Sequence, residues 1–147
     1  MTSAFTDINT FGKIGFAERD VYPDFLGEAA VILERPALTD VAELFRKSAQ
    51  AWDVLSLALL PDEVEILKET RQLMLQKRDL FLNQGNGGMA EMGAIDGRLV
   101  ELKTAVSTNF PLDEAGMTAL KENIAAHVVQ VYDIEQEAVA ALQAAMA

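Results

Sequence analysis

The stretch Asp113 to Met146, DEAGMTALKENIAAHVVQVYDIEQEAVAALQAAM, has the pattern of one uninterrupted amphipathic helix. At about 100° per residue, most of its apolar side chains fall on one stripe and its polar ones on the opposite side. The apolar stripe comprises Leu120, Ile124, Val128, Val131, Ala138, Leu142 and Met146, and the polar side comprises Glu122, Gln130, Asp133 and Glu137. We therefore predict a long C-terminal helix on which the rest of the chain packs.

The length of this helix bears on oligomeric state. A helix of roughly 33 residues is about 50 Å long, whereas a domain of 147 residues is only about 40 Å across. The helix must bend, protrude or meet a second subunit, and we expect a homodimer. The expected interface joins the C-terminal helix to the end of an earlier helix that is apolar nearly all round: Val54, Leu57, Leu60, Val139, Leu142 and Met146.

The remaining chain also shows helical periodicity and no strand pattern. Pro23 suits the first turn of a helix, which Arg35-Pro36 ends. Asp40, with Glu43 three residues later, has capping-box spacing for the next helix. We predict an all-α, up-and-down bundle of four to five helices.

Two further features complete this architecture. A helix is expected to start at Pro61, and a glycine-rich connector, QGNGG at 84–88, separates it from a seam of Met92, Ile95, Leu99, Leu102 and Val106. At the other end, Phe5, Ile8, Phe11 and Ile14 recur at spacings of three. We divide the chain into an N-terminal arm, 1–15, and a single helical domain, 16–147, long enough to bury a core without disulfides.

The composition limits the kinds of partner that the chain is expected to bind. The chain carries a net charge of -11, which repels nucleic acid and anionic lipid, so neither is expected to bind. Residues 1–15 lack the pattern of a secretory signal, and no apolar run is long enough to span a bilayer. The cytoplasm is the expected location.

The sequence lacks the residues that several kinds of functional site require. The chain contains no cysteine and one histidine, His127, so neither a carboxylate-bridged di-metal site nor structural zinc is expected. The glycines at 85–88 lack the Gly-Lys-Ser/Thr and preceding strand of a phosphate-binding loop, and no hydrolytic triad motif is present. We expect no metal, no cofactor and no catalytic residue, which makes an enzyme the less favoured class.

Glu135 is the most informative single residue, because it falls on the apolar stripe of the C-terminal helix and an unpaired buried carboxylate is costly. It could pair with Lys121, Lys77 or an arginine, bind a cationic ligand, or lie where the helix outruns the core, which we favour. With His127 at the stripe's edge and Tyr132, it forms the candidate ligand-binding set. On the third long helix, Lys68, Arg71 and Arg78 predict a solvated basic face.

Residues 22–52 carry a family resemblance. The pattern is Tyr22, Phe25-Leu26, Glu28-Ala29, Leu33, Pro36 and Leu38, followed by Phe45-Arg46, Ser48-Ala49 and Trp52. It resembles the helical domain that follows the catalytic domain in butirosin-biosynthesis-type acyltransferases. The resemblance implies that acyl transfer belongs to a preceding cysteine-nucleophile domain, and these 147 residues contain neither that domain nor a cysteine.

Three functions follow as hypotheses. The first is a non-catalytic helical accessory or interaction module of bacterial secondary metabolism that forms a homo-oligomer and docks to a biosynthetic partner protein. The second is a small-molecule-binding protein or enzyme with a site in the bundle interior around Glu135 and His127. The third is a structural protein that self-assembles.

Overall fold

All regular structure in the part of the chain that the computed structural model describes, residues 1–9 and 21–147, is helical. The helices are α1 Thr2–Thr6, α2 Tyr22–Ile32, α3 Ala37–Leu59, α4 Glu65–Gln84, α5 Met89–Thr108 and α6 Glu114–Met146, with a single 3-10 turn at Gly85–Gly88. The predicted all-α fold with a long C-terminal helix is confirmed.

Both ends of helix α6 form hydrogen bonds with side chains outside the helix. Asp113 precedes it in an extended conformation, and its carboxylate accepts a hydrogen bond from the Gly116 N–H at 2.8 Å. This is the arrangement that a capping aspartate provides for the free N–H groups of a first turn. At the other end, the Arg35 guanidinium donates to the Ala145 carbonyl at 2.8 Å, which ties the last turn to the α2–α3 connection.

Helices α2, α3 and α6 form one packed layer. The start of α3 packs on the end of α6 and the end of α3 on its first half, so these two helices run antiparallel. Helix α2 folds back on the start of α3. The buried residues are Leu26, Ala30, Leu38, Val41 and Ala42 at one end of the layer and Ala51, Leu55 and Val131 near its middle.

Helices α4 and α5 form an antiparallel hairpin with a small core of its own, made by Leu80, Met92 and Ile95. Ion pairs cross the hairpin from Lys77 to Asp96 at 2.5 Å and from Arg98 to Glu69 at 2.7 Å. The hydrogen bond from Arg98 holds the pKa of Glu69 below its ordinary value, against a smaller opposing effect of burial. The predicted seam of α5 therefore faces its own neighbour, α4.

The hairpin joins the layer around Leu60. This residue follows the last turn of α3 with φ -133° and ψ 73°, is completely buried, and packs with Phe5, Leu59 and Leu67. Arg71 lies under the same corner, where it donates to the Leu60 carbonyl at 2.7 Å and to Asp62 at 2.5 Å. The predicted solvated basic face is therefore wrong for Arg71, because the corner needs a donor for a buried carbonyl.

Two predicted helix starts are shifted. Helix α3 begins at Ala37, before Asp40, because Pro36 already has a helical φ of -61°. Helix α4 begins at Glu65 instead of Pro61, since the backbone is non-helical at Leu60 and extended at Val64. Phe5 of the predicted arm is buried, whereas Phe11, Ile14 and the boundary between residues 15 and 16 lie outside the described residues.

Candidate functional site

Glu135 lies in the interface between α3 and α6. Its Oε1 accepts hydrogen bonds from the Ser48 hydroxyl at 3.0 Å and from the Trp52 indole N–H at 2.7 Å. Ser48 and Trp52 are four residues apart on α3 and therefore share a face. The carboxylate thus fixes the register of α6 on α3 through two donors that carry no charge.

The expectation that Glu135 sits where the helix outruns the core is wrong, because its side chain is half-buried against α3. Two of the proposed cationic partners are also excluded by geometry. Lys77 pairs with Asp96 across the hairpin. Lys121 precedes Glu135 by fourteen residues, about 21 Å along α6.

The structure does not bring Glu135, His127 and Tyr132 into one site. His127 is half-buried, and its Nδ1 lies 3.4 Å from the Gln130 Oε1 on the same helix. It is two turns, about 12 Å, from Glu135. Tyr132 is 58% exposed, and its hydroxyl accepts a hydrogen bond from the Gln136 amide at 2.6 Å.

The residues expected at a homodimer interface divide into two groups. Leu60 is fully buried in its own chain, and Leu142 packs half-buried on the cluster of α2 and α3, so neither belongs to a free apolar surface. Val54, Leu57, Val139 and Met146 are between 45% and 49% exposed. Leu142 is half-buried because α2 and the start of α3 cover the last turns of α6. The end of this helix therefore does not extend beyond the layer.

A second surface of α6, which we call the α6 stripe, consists of Val128, Tyr132, Val139 and Met146. Their spacings of four, seven and seven residues place them within about 40° of one another on the helix. Each is between 45% and 58% exposed. The predicted core stripe was too broad, because Val128 and Met146 lie on its flank and face outward.

From Ala125 to Met146, one charged residue projects beside the α6 stripe: Glu135, seven residues after Val128, whose carboxylate accepts hydrogen bonds from α3. The exposed neighbours of the stripe are Ala125, Gln136 and Gln143, while Asp133 and Glu137 lie on another side of the helix. In a chain of net charge -11, this surface has a single carboxylate beside it over six turns. It is a candidate contact surface on the described layer.

The described ranges contain neither a metal-binding group nor a membrane-spanning helix. Among residues 1–9 and 21–147, no group of three histidine or carboxylate side chains is arranged to hold a metal ion. None of the helices in these ranges combines the length and the apolar character that crossing a membrane requires.

Sequence reasoning missed Ser48 and Trp52 as the partners of Glu135. Both residues fall on the buried stripe of α3, and a hydroxyl and an indole N–H on such a stripe each need an acceptor. Glu135 is the acceptor on the facing helix. The signal was present in the pattern, but the pairing of the two helices was needed to connect it.

Glu135→Ala is expected to lower the free energy of unfolding by about 1–2 kcal/mol, because the fully buried Ser48 hydroxyl loses its acceptor. Glu135→Gln retains an oxygen acceptor and should lose less than half as much. Glu137→Ala, which removes an exposed carboxylate from the same helix, is the matched control and should change little. Urea unfolding followed by circular dichroism measures all three. Equal losses for Glu135→Ala and Glu137→Ala would contradict the register function.

Compared with known proteins, the chain matches no protein-family model, no curated protein sequence and no solved structure.

Proposed function

We propose that this chain is a non-catalytic helical interaction module that forms a homodimer through the α6 stripe. The observation that carries the proposal is an exposed apolar stripe on an otherwise acidic protein, with its one neighbouring carboxylate, Glu135, bonded to α3. Because monomers rarely leave a large contiguous apolar surface uncovered, such a stripe favours a binding surface.

The chemistry of the stripe favours a second copy as its occupant. A basic partner would be recognised by carboxylates, and the one beside the stripe between Ala125 and Met146, Glu135, bonds to α3. A neutral apolar helix at heptad-like spacing is the surface that it complements, and the stripe itself is such a surface. Two copies related by a two-fold axis use the same contacts twice.

The resemblance of residues 22–52 supports a more specific role. An accessory module of this kind would serve a biosynthetic enzyme of bacterial secondary metabolism, and the cytoplasm is where we place it. Co-purification of the dimer with the product of a neighbouring biosynthetic gene tests this part of the proposal, independently of dimer formation.

The dimer has a direct test. Val139→Glu should weaken self-association at least about tenfold, since burial of an apolar side chain of this size contributes about 1.5–3 kcal/mol and each substitution acts on both copies. Ala126→Glu places the same charge on the exposed acidic side of α6 and is the matched control. Sedimentation equilibrium gives the dissociation constants, and the wild-type dimer should strengthen with salt because the charged surfaces repel each other.

A wild-type chain that stays monomeric at low and high salt would contradict the proposal. Equal weakening by Val139→Glu and Ala126→Glu would also contradict it, because general charge repulsion would then explain both. Homogeneous particles much larger than a dimer would favour the structural, self-assembling protein instead.

A further inference from the structure

A cavity of about 300 Å³ lies where the hairpin meets the rest of the chain. Helix α1 covers one side of it, the corner at Leu60 forms its floor, and α4 and α5 form its walls. The side chains that matter for its chemistry are Leu60, Leu67, Met74, Leu99, Leu102 and Lys103. This cavity is separate from the α6 stripe and from the Glu135 cluster.

The interior of the cavity is apolar. Leu60, Leu67 and Leu102 are each less than 5% exposed, and Met74 and Leu99 are half-buried. Three hydroxyl residues line the cavity, and two of them donate elsewhere: Thr70 to the Ile66 carbonyl at 2.7 Å and Ser107 to the Lys103 carbonyl at 2.8 Å, while Thr2 lies on the side covered by α1. The walls therefore favour a hydrocarbon body.

Lys103 supplies the polar end of the cavity. Residues 65–108 carry six lysine and arginine side chains, and the other five each form an ion pair. The Lys103 ammonium forms none with the described residues, although the protein carries eleven more negative than positive charges. An exposed cation beside an apolar cavity provides a site for an anionic head group.

The volume limits the size of the ligand. A dry apolar cavity of about 150 Å³ accommodates benzene. A cavity of about 300 Å³ accommodates roughly twice as many atoms, about twelve. Ligand pockets begin at about this volume.

We infer that this cavity binds a medium-length alkyl carboxylate, with the alkyl chain among Leu60 and the leucines of α4 and α5 and the carboxylate at Lys103. The ligand has the two properties that the walls select for. Its chain replaces unfilled space beside buried apolar side chains, and its carboxylate pairs with the ammonium group.

Decanoate is the probe. Isothermal titration calorimetry should show saturable binding of one decanoate per chain. Lys103→Gln should weaken decanoate about fivefold while leaving 1-decanol unchanged, because an exposed ion pair contributes modestly and only decanoate carries a charge. Lys121→Gln, which removes an exposed cation from α6, is the matched control and should leave both ligands unaffected.

A second pair of variants tests the location. Val106→Phe fills the cavity from its wall and should abolish binding of both ligands, whereas Val100→Phe, on the exposed side of α5, should leave both unchanged. Circular dichroism establishes that each variant is folded, and Leu99→Phe replaces Val106→Phe if that variant is not. Absence of decanoate binding to the wild type, or binding to a folded cavity-filled variant as tight as to the wild type, would overturn the inference. Equal weakening of decanoate by Lys103→Gln and Lys121→Gln would overturn the assignment of the carboxylate to Lys103.

Discussion

Replacing Leu60 with alanine is expected to lower the free energy of unfolding by about 3–5 kcal/mol, the upper part of the range for buried leucine. The side chain has no exposed surface and packs with Phe5, Leu59 and Leu67, which come from three parts of the chain. It also lines the cavity at this corner, so the space left by the lost methyl groups would add to space already present. Urea unfolding followed by circular dichroism measures the loss.

Leu57→Ala is the matched control for this result. Leu57 lies three residues earlier in the same apolar run and is 49% exposed, so its truncation should cost less than about 1 kcal/mol. Comparable losses for the two variants would contradict the packing of the corner. Because the α6 stripe lies on another helix, Leu57→Ala should also leave self-association unchanged.

The contrast between Leu57 and Leu60 shows where helical periodicity stops being informative. From Val54 to Leu60 the chain is apolar nearly all round, and a helical projection assigns a face to every residue in that run. Leu60, however, leaves the helical path with φ -133° and ψ 73°, and its side chain is completely buried. The position at which a helix ends depends on the corner that follows, which the pattern does not encode.

The long helix could be predicted because many positions contribute to the same period. A periodic run of thirty-three residues with a capping aspartate before it defines both ends of the helix. Helix α6, with Asp113 as its cap, agrees closely with the expected range of Asp113 to Met146. Which of its apolar residues face the core was harder to assign. Val128 and Val131 both fall on the predicted stripe, about 60° apart, yet Val128 is 49% exposed and Val131 is 5% exposed, because α3 covers only part of that stripe.

The Glu135 cluster illustrates the same limit for polar groups. Its burial was signalled by its place on the stripe, but the partners come from α3, more than eighty residues away in the chain. The favoured expectation placed Glu135 at an exposed end of the helix, with a cationic partner as an alternative. Two neutral donors from α3 converge on one of its oxygens, and that convergence depends on the register of two helices.

Arg71 is the clearest case of a residue whose function depends on its surroundings. Periodicity places it beside Lys68 and Arg78 on what reads as one basic face, yet its side chain is only 10% exposed. The backbone turn after α3 leaves the Leu60 carbonyl inside the protein without a helical partner, and Arg71 is the donor that reaches it. Its second nitrogen binds Asp62 in the same turn and so fixes the path from α3 into α4.

Arg71→Met is therefore expected to lower the free energy of unfolding by about 2–3 kcal/mol. Methionine retains much of the apolar stem of Arg71. The loss of stability therefore comes mainly from the buried Leu60 carbonyl, which is left without a donor at a cost of about 1–3 kcal/mol. The freed Asp62 contributes little because it is mostly exposed. Arg71→Lys should recover only part of the stability, because one ammonium cannot reproduce the forked contact to both oxygens. Lys68→Met is the matched control: its contact with Glu65 is long, at 3.9 Å, and lies at the surface, so the change should be below about 0.5 kcal/mol. Urea unfolding compares the three variants, and a loss for Arg71→Met no larger than that for Lys68→Met would show that the corner is held by apolar packing around Leu60 alone.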